Sequence, residues 1–160
     1  MRFTKTAATG RAALCAAVLV GVLVGPVSAA SASDASIKAV IKSYNAKLLI
    51  ADGHLTTALG EYKKTGNPSD VQAAFKKSIA VLSSLKAKIA SQKASNPRVK
   101  LGQTKFDKGL QAIVVAYERL SKAIGEKRVS PAAAKAEAKK AVSAIDRARV
   151  LFKEGAKLLG

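Results

Sequence analysis

The stretch that decides the fold runs from residue 96 to residue 127 and reads NPRVKLGQTKFDKGLQAIVVAYERLSKAIGEK. It opens with Asn96, whose side chain can accept hydrogen bonds from the first helical turn, and Pro97, which loses no bond at the first helical position. Its stripe residues then recur at alternating steps of four and three, which keeps one face toward a partner. The stripe comprises Val99, Gln103, Phe106, Leu110, Ile113, Tyr117, Leu120 and Ile124. The stretch therefore predicts one long amphipathic helix.

The same start signal recurs along the chain. Asn67-Pro68 and Ser130-Pro131 repeat the cap followed by proline, Ser33-Asp34 marks a fourth start, and Gly66 is a helix terminator. The four predicted helices cover residues 34–64, 68–94, 97–127 and 131–159. Because the connections are short, consecutive helices should run antiparallel. The sequence therefore predicts an all-α fold, an up-down-up-down antiparallel four-helix bundle.

Small residues inside the predicted helices complicate this picture. Gly53, Gly60, Gly102 and Gly109 each cost about 1 kcal/mol relative to alanine in a helix interior. The Asp52-Gly53 pair could mark a kink or a short break in the first helix. The fourth helix offers mostly alanine to the core, so it either packs closely or leaves space beside it.

Residues 1–29 have the three parts of a secretory signal peptide. Three basic and no acidic side chains flank an apolar run at 12–24, which is too short to span a bilayer that needs about 20 residues. Small residues then lead to Ala29, the predicted cleavage site, and Ala32 offers a second. The leader is typical of bacteria, so we expect a protein that is secreted or extracytoplasmic, in the periplasm or cell wall. Residues 30–160 should form a single basic domain.

Removal of the leader has two consequences for the remaining chain. Cys15 is the one cysteine of the sequence and lies within the leader, so no disulfide can stabilise the domain. The leader takes three of the 28 basic residues and none of the 10 acidic ones, which leaves a formal charge of +15 (25 basic less 10 acidic side chains). Such a charge favours anionic partners. These include anionic envelope polymers, anionic lipid surfaces and nucleic acid bound without sequence specificity.

Groups suited to catalysis are sparse, and we expect no enzyme activity, no metal and no cofactor. His54 is the only histidine, whereas a metal site needs several ligands together. The acidic residues are scattered, with no two spaced three or four apart on one predicted helix. Tyr44, Tyr62 and Tyr117 lie on the predicted core stripes, where they could line a ligand pocket or simply pack with each hydroxyl bonded.

The basic residues give the clearest functional signal. Between Val71 and Phe106 there is no acidic residue. The candidate polyanion-binding residues in this span are Lys76, Lys77, Lys86, Lys88, Lys93, Arg98, Lys100 and Lys105. Lysine outnumbers arginine, which suits diffuse attraction to phosphates better than bidentate recognition of bases. The same lysines would also serve as a solvated face that keeps an exported protein soluble.

The sequence thus predicts an exported, monomeric, non-enzymatic binding or structural protein whose lysine-rich surface contacts polyanions. The alternative hypothesis is a carrier that holds a small ligand inside the bundle, suggested by the alanine-rich fourth helix and the stripe tyrosines.

Overall fold

The fold is all-helical, as predicted. The computed structural model describes residues 32–127 and 129–159, and for residues 32–34 it describes the backbone. Its four helices are α1 (Ala32–Thr65), α2 (Ser69–Ala90), α3 (Pro97–Glu126) and α4 (Pro131–Leu159), and the described residues contain no strand. The predicted leader at 1–29 lies outside the described residues.

The helix ends follow the predicted chemistry at three places. Asn96 is extended and its side chain accepts a hydrogen bond from the Val99 amide at 2.9 Å. Asn67 accepts one from the Ser69 amide at 3.1 Å. Gly66 adopts a φ of 72°, a left-handed conformation that favours glycine, and its amide donates to the last turn of α1.

The second helix ends at Ala90, four residues earlier than predicted. The cause is a side chain of the next helix. The Gln103 amide donates to the carbonyl of Ile89 at 2.5 Å and to that of Gln92 at 2.8 Å. These carbonyls at the helix end therefore find a partner in α3, and residues 91–96 form a connection instead of a further turn.

Each helix packs mainly on its neighbours in sequence, and α3 and α4 form the most extensive contact. The backbones of α1 and α4 approach each other far less closely than those of consecutive helices. The stripe residues fill the interior. The largest fully buried side chains are Phe75, Phe106, Phe152, Ile37, Ile41, Leu55, Leu85, Ile89, Leu110, Ile113, Ile145 and Leu159.

Close packing of α3 on α4 explains three of the glycines and the alanine-rich helix. A methyl group on Gly109 would lie 2.6 Å from Cε1 of Phe152, and one on Gly155 would lie 2.7 Å from Cδ2 of Phe106. A methyl group on Gly102 would lie 3.1 Å from the Leu159 side chain. The glycines expected to weaken α3 are therefore positions where the partner helix occupies the space of a side chain. α4 packs closely rather than leaving space.

Small residues extend this close approach along both helices. They recur every seventh residue as Gly102, Gly109, Ala116 and Ala123 on α3 and as Ala134, Ala141, Ala148 and Gly155 on α4, and all eight are buried. The pairs Lys105–Glu154 and Arg119–Glu137 fit one antiparallel register. That register places the two rows of small residues opposite each other.

The glycines of α1 have a different environment. The helix is continuous across Gly53 and Gly60, so there is no break at Asp52-Gly53. Apart from the neighbouring turns of α1 itself, no atom lies within 4 Å of a methyl group built on either glycine. These two positions face open space.

The two classes of glycine should respond to alanine in opposite directions. We expect Gly109→Ala to lower the free energy of unfolding by about 1–3 kcal/mol, because the buried Phe152 ring must move. We expect Gly53→Ala to raise it by roughly 0.5–1 kcal/mol, because alanine restricts the unfolded chain and meets no atom in the fold. Urea denaturation followed by circular dichroism measures both, and a stabilising Gly109→Ala would contradict the close packing.

Candidate polyanion-binding surface

The eight candidate basic residues lie on three consecutive parts of the chain. Four are on α2 (Lys76, Lys77, Lys86 and Lys88), one is in the connection (Lys93), and three are on α3 (Arg98, Lys100 and Lys105). They do not share one face.

Two of the eight are paired with carboxylates inside the fold. Lys105 contacts Glu154 of α4 at 2.6 Å. Lys86 lies 3.9 Å from Asp107 of α3 and donates a hydrogen bond to Gln111 at 2.8 Å. These lysines join neighbouring helices, and each already faces a carboxylate.

A third residue, Arg98, caps a helix. Its guanidinium donates to the main-chain carbonyl of Lys157 at 3.0 Å, in the last turn of α4. A cation at a helix C-terminus balances the partial negative charge of the exposed carbonyls. Arg98 therefore fixes the end of α4 beside the beginning of α3.

Lys76 and Lys77 are exposed but distant from the others. Lys77 precedes Lys88 by eleven residues, which is about 16 Å along a helix. They lie in the half of α2 nearer its beginning, away from the connection at 91–96.

The remaining candidates gather at the end of the molecule where α2 passes into α3. We call this surface the basic end and define it by Lys88, Lys93, Arg98, Lys100 and Lys157. All five residues are exposed. Sequence analysis missed Lys157. Antiparallel packing of α4 on α3 was the signal that could have found it, since it returns the end of α4 to the start of α3.

Carboxylates are concentrated at the opposite end, where α1 meets α2 and α3 meets α4. They are Glu61, Asp70, Glu118, Glu126 and Glu137. Several are paired with basic neighbours, as Glu137 is with Lys140 at 3.0 Å and Arg119 at 2.8 Å. The hydrogen bond from Lys140, together with Arg119, holds the pKa of Glu137 below its ordinary value. Exposed lysines such as Lys63, Lys127 and Lys135 accompany these carboxylates, so basic side chains occur at both ends while these five carboxylates lie at this one.

The tyrosines belong to the packing. The Tyr44 hydroxyl shares a 2.7 Å hydrogen bond with Ser84 of α2. Tyr117 is buried with its ring 5.4 Å from that of Phe75, edge to face. Tyr62 lies half-buried under the ammonium group of Lys127. Both features that suggested a ligand carrier, these tyrosines and the alanines of α4, thus have a packing role.

The polar groups suited to catalysis or metal binding are dispersed in the part of the chain that the structure describes. His54 is exposed on α1. No group of three or more histidine, cysteine, aspartate or glutamate side chains there could hold a metal ion. Among the same residues, no helix is long and apolar enough to cross a membrane.

Asp52 of α1 is a partly buried carboxylate whose pKa is shifted by its surroundings. Its Oδ1 is buried and has no hydrogen-bond partner. The same holds for Oδ1 of Asn45, seven residues earlier on α1. Burial penalises the charged form and raises the pKa of Asp52 above its ordinary value.

Comparison with known proteins adds no relative. The chain matches no protein-family model, no curated protein and no solved structure.

The Asp52 carboxylate should make the fold less stable as it ionises. Because the pKa of Asp52 is raised in the folded protein, the fold favours the protonated carboxyl group. The stability that this provides is complete below the unfolded pKa of about 4 and is lost as the pH rises through the pKa in the folded protein. We expect Asp52→Asn to be more stable than the wild type at pH 7 and to match it near pH 3. Urea denaturation at both pH values measures this, with the exposed Glu118→Gln as control. Equal stability of Asp52→Asn and wild type at pH 7 would contradict it.

Proposed function

We propose that this is an exported, non-enzymatic helical protein whose lysine-rich surface binds polyanions at or outside the cell envelope. The observation that carries the proposal is the basic end, where the exposed cations Lys88, Lys93, Arg98, Lys100 and Lys157 gather from three helices and one connection. When such cations neutralise the phosphates of a polymer, the counterions condensed on that polymer are released. This release drives association.

The proposed recognition is electrostatic and independent of sequence. Lysine ammonium groups act as point charges toward phosphates, whereas base recognition needs bidentate donors or stacking aromatics. Phe75, Phe106 and Phe152 are all fully buried in the core, so they cannot stack on bases. An anionic envelope polymer is the partner we favour. An anionic lipid surface and nucleic acid are the alternatives.

The proposed architecture is an up-down-up-down antiparallel bundle that acts as a monomer. Its support is the antiparallel register of α3 and α4 and the short connections between all four helices. The proposal of no catalytic role is supported by the exposed, isolated position of the single histidine on α1.

Export requires the leader to act as a cleaved signal. We expect the full chain, expressed in a bacterium, to appear outside the cytoplasm with a new N-terminus at Ala30, because small residues precede the predicted cut after Ala29. Intact-mass measurement of the exported protein gives the start directly. A chain lacking residues 2–29 should stay in the cytoplasm. Retention of the leader on an exported, membrane-held protein would contradict cleavage.

Polyanion binding should depend steeply on salt. We expect the exported protein to elute from a phosphate-bearing column at clearly higher salt than a folded lysine-rich protein of similar charge, because its cations are clustered. Elution together with that control would mean that the lysines serve solubility. Binding that does not change between about 50 and 500 mM salt would also exclude the proposed mechanism.

A further inference from the structure

We infer that the basic end is the binding face, and that it takes a flexible phosphate-bearing polymer chain across the end of the helices. This inference rests on the proposed function. It adds the location of the binding face, the phosphate chemistry of the partner and the number of lysine–phosphate contacts. Most of the remaining surface lysines would then contribute only to the long-range field.

The first argument is convergence. The beginning of α3 touches the end of α4 through Arg98, which bonds the Lys157 carbonyl, and through Gly102, which packs on Leu159. The same turns of α3 touch the end of α2 through Gln103. Lys88, Lys93, Lys100 and Lys157 come from three helices and one connection, and these contacts bring their backbones together.

The second argument is rigidity. The connection at 91–96 is held at both sides, by the Gln103 amide on the carbonyls of Ile89 and Gln92 and by the Asn96 side chain on the Val99 amide. Gln92 in turn donates to the carbonyl of Lys88 at 3.1 Å. Backbone atoms fixed in this way lose little entropy when a partner binds, so more of the electrostatic attraction appears as affinity.

The third argument is the local field. Helix C-termini carry partial negative charge, and two of them, those of α2 and α4, lie at this end. Gln103 bonds the terminal carbonyls of α2, and Arg98 adds a positive charge to those of α4. The N-terminus of α3 contributes partial positive charge. Among the described carboxylate side chains of α3 and α4, Glu154 is bound to Lys105 and Asp107 faces Lys86.

The fourth argument concerns the kind of partner. A membrane-binding face needs apolar side chains beside its cations so that they can enter the lipid. Leu101 is the large apolar residue that is exposed near the basic end, at 49%. The exposed Leu49 and Ile50 lie in the middle of α1 instead. The composition of the basic end therefore fits a soluble phosphate chain better than a lipid surface.

The test compares two quadruple variants of the exported protein. The end variant carries Lys→Gln at residues 88, 93, 100 and 157. The control variant carries Lys→Gln at residues 63, 76, 135 and 139, which are also exposed lysines and which make no ion pair among the described residues. Both variants have the same net charge. Circular dichroism confirms that each retains the helical fold.

The readout is the affinity for a fluorescent oligothymidylate as a function of salt concentration. On single strands, each phosphate contact contributes about 0.7 to the slope of log affinity against log salt. For the end variant we expect the magnitude of that slope to fall by about 3. Its affinity at low salt should fall at least about tenfold. The control variant should lose less than 1 from the slope.

Each contrary outcome overturns a different statement. Equal losses in the two variants would overturn the assignment to the basic end and leave polyanion binding intact. Binding by the wild type no tighter than by a folded lysine-rich protein of equal charge would remove the proposed function itself.

Two competitors and one vesicle assay define the chemistry. Inorganic polyphosphate should displace the oligonucleotide, since it offers phosphates without bases, and polyglutamate should displace it less well. If polyglutamate competes equally, the preference for phosphate is wrong. Tighter binding to phosphatidylglycerol vesicles than to polyphosphate, lost in the end variant, would identify a membrane as the partner in place of a polymer.

Discussion

The reciprocal contact between α3 and α4, in which a glycine of each helix faces a phenylalanine of the other, sets the geometry of the rest of the molecule. Gly109 admits the ring of Phe152, and Gly155 admits that of Phe106. With the two backbones this close, rows of alanine are long enough to fill the interface. The register that results carries Arg98 to the last turn of α4 and so assembles the end of the molecule that we propose as functional.

Much of the fold follows from local chemistry that is legible in the sequence. Asparagine before proline starts a helix because the side chain satisfies a free amide, and the structure has this bond at Asn96. The seven-residue spacing of large apolar side chains identifies the core, since Ile41, Leu85 and Phe106 are all buried. Such signals act over a few residues and need no knowledge of the partner helix.

The features that the sequence did not predict depend on contacts between distant residues. Glycine destabilises an isolated helix, so the sequence alone predicts that Gly102 weakens α3. Its role becomes clear only from the contact with Leu159 of α4. The early end of α2 depends on Gln103, which follows Ile89 by fourteen residues. For the same reason the candidate site was only partly predicted. The acid-free span from Val71 to Phe106 suggested eight candidates, whereas the structure pairs Lys105 with Glu154 and brings Lys157 beside Arg98.

The unequal packing of the four helices also bears on how the protein folds and opens. α3 and α4 are joined by a connection of four residues and share the largest interface, so their contacts form between neighbours in sequence. α1 carries two glycines at which an added side chain would meet no neighbouring helix, and it approaches α4 only weakly. Among the four helices, we therefore expect the hairpin of α3 and α4 to exchange its amide hydrogens slowest and α1 to separate first in partial unfolding. The half of the basic end that α3 and α4 provide thus belongs to the most persistent unit of the protein.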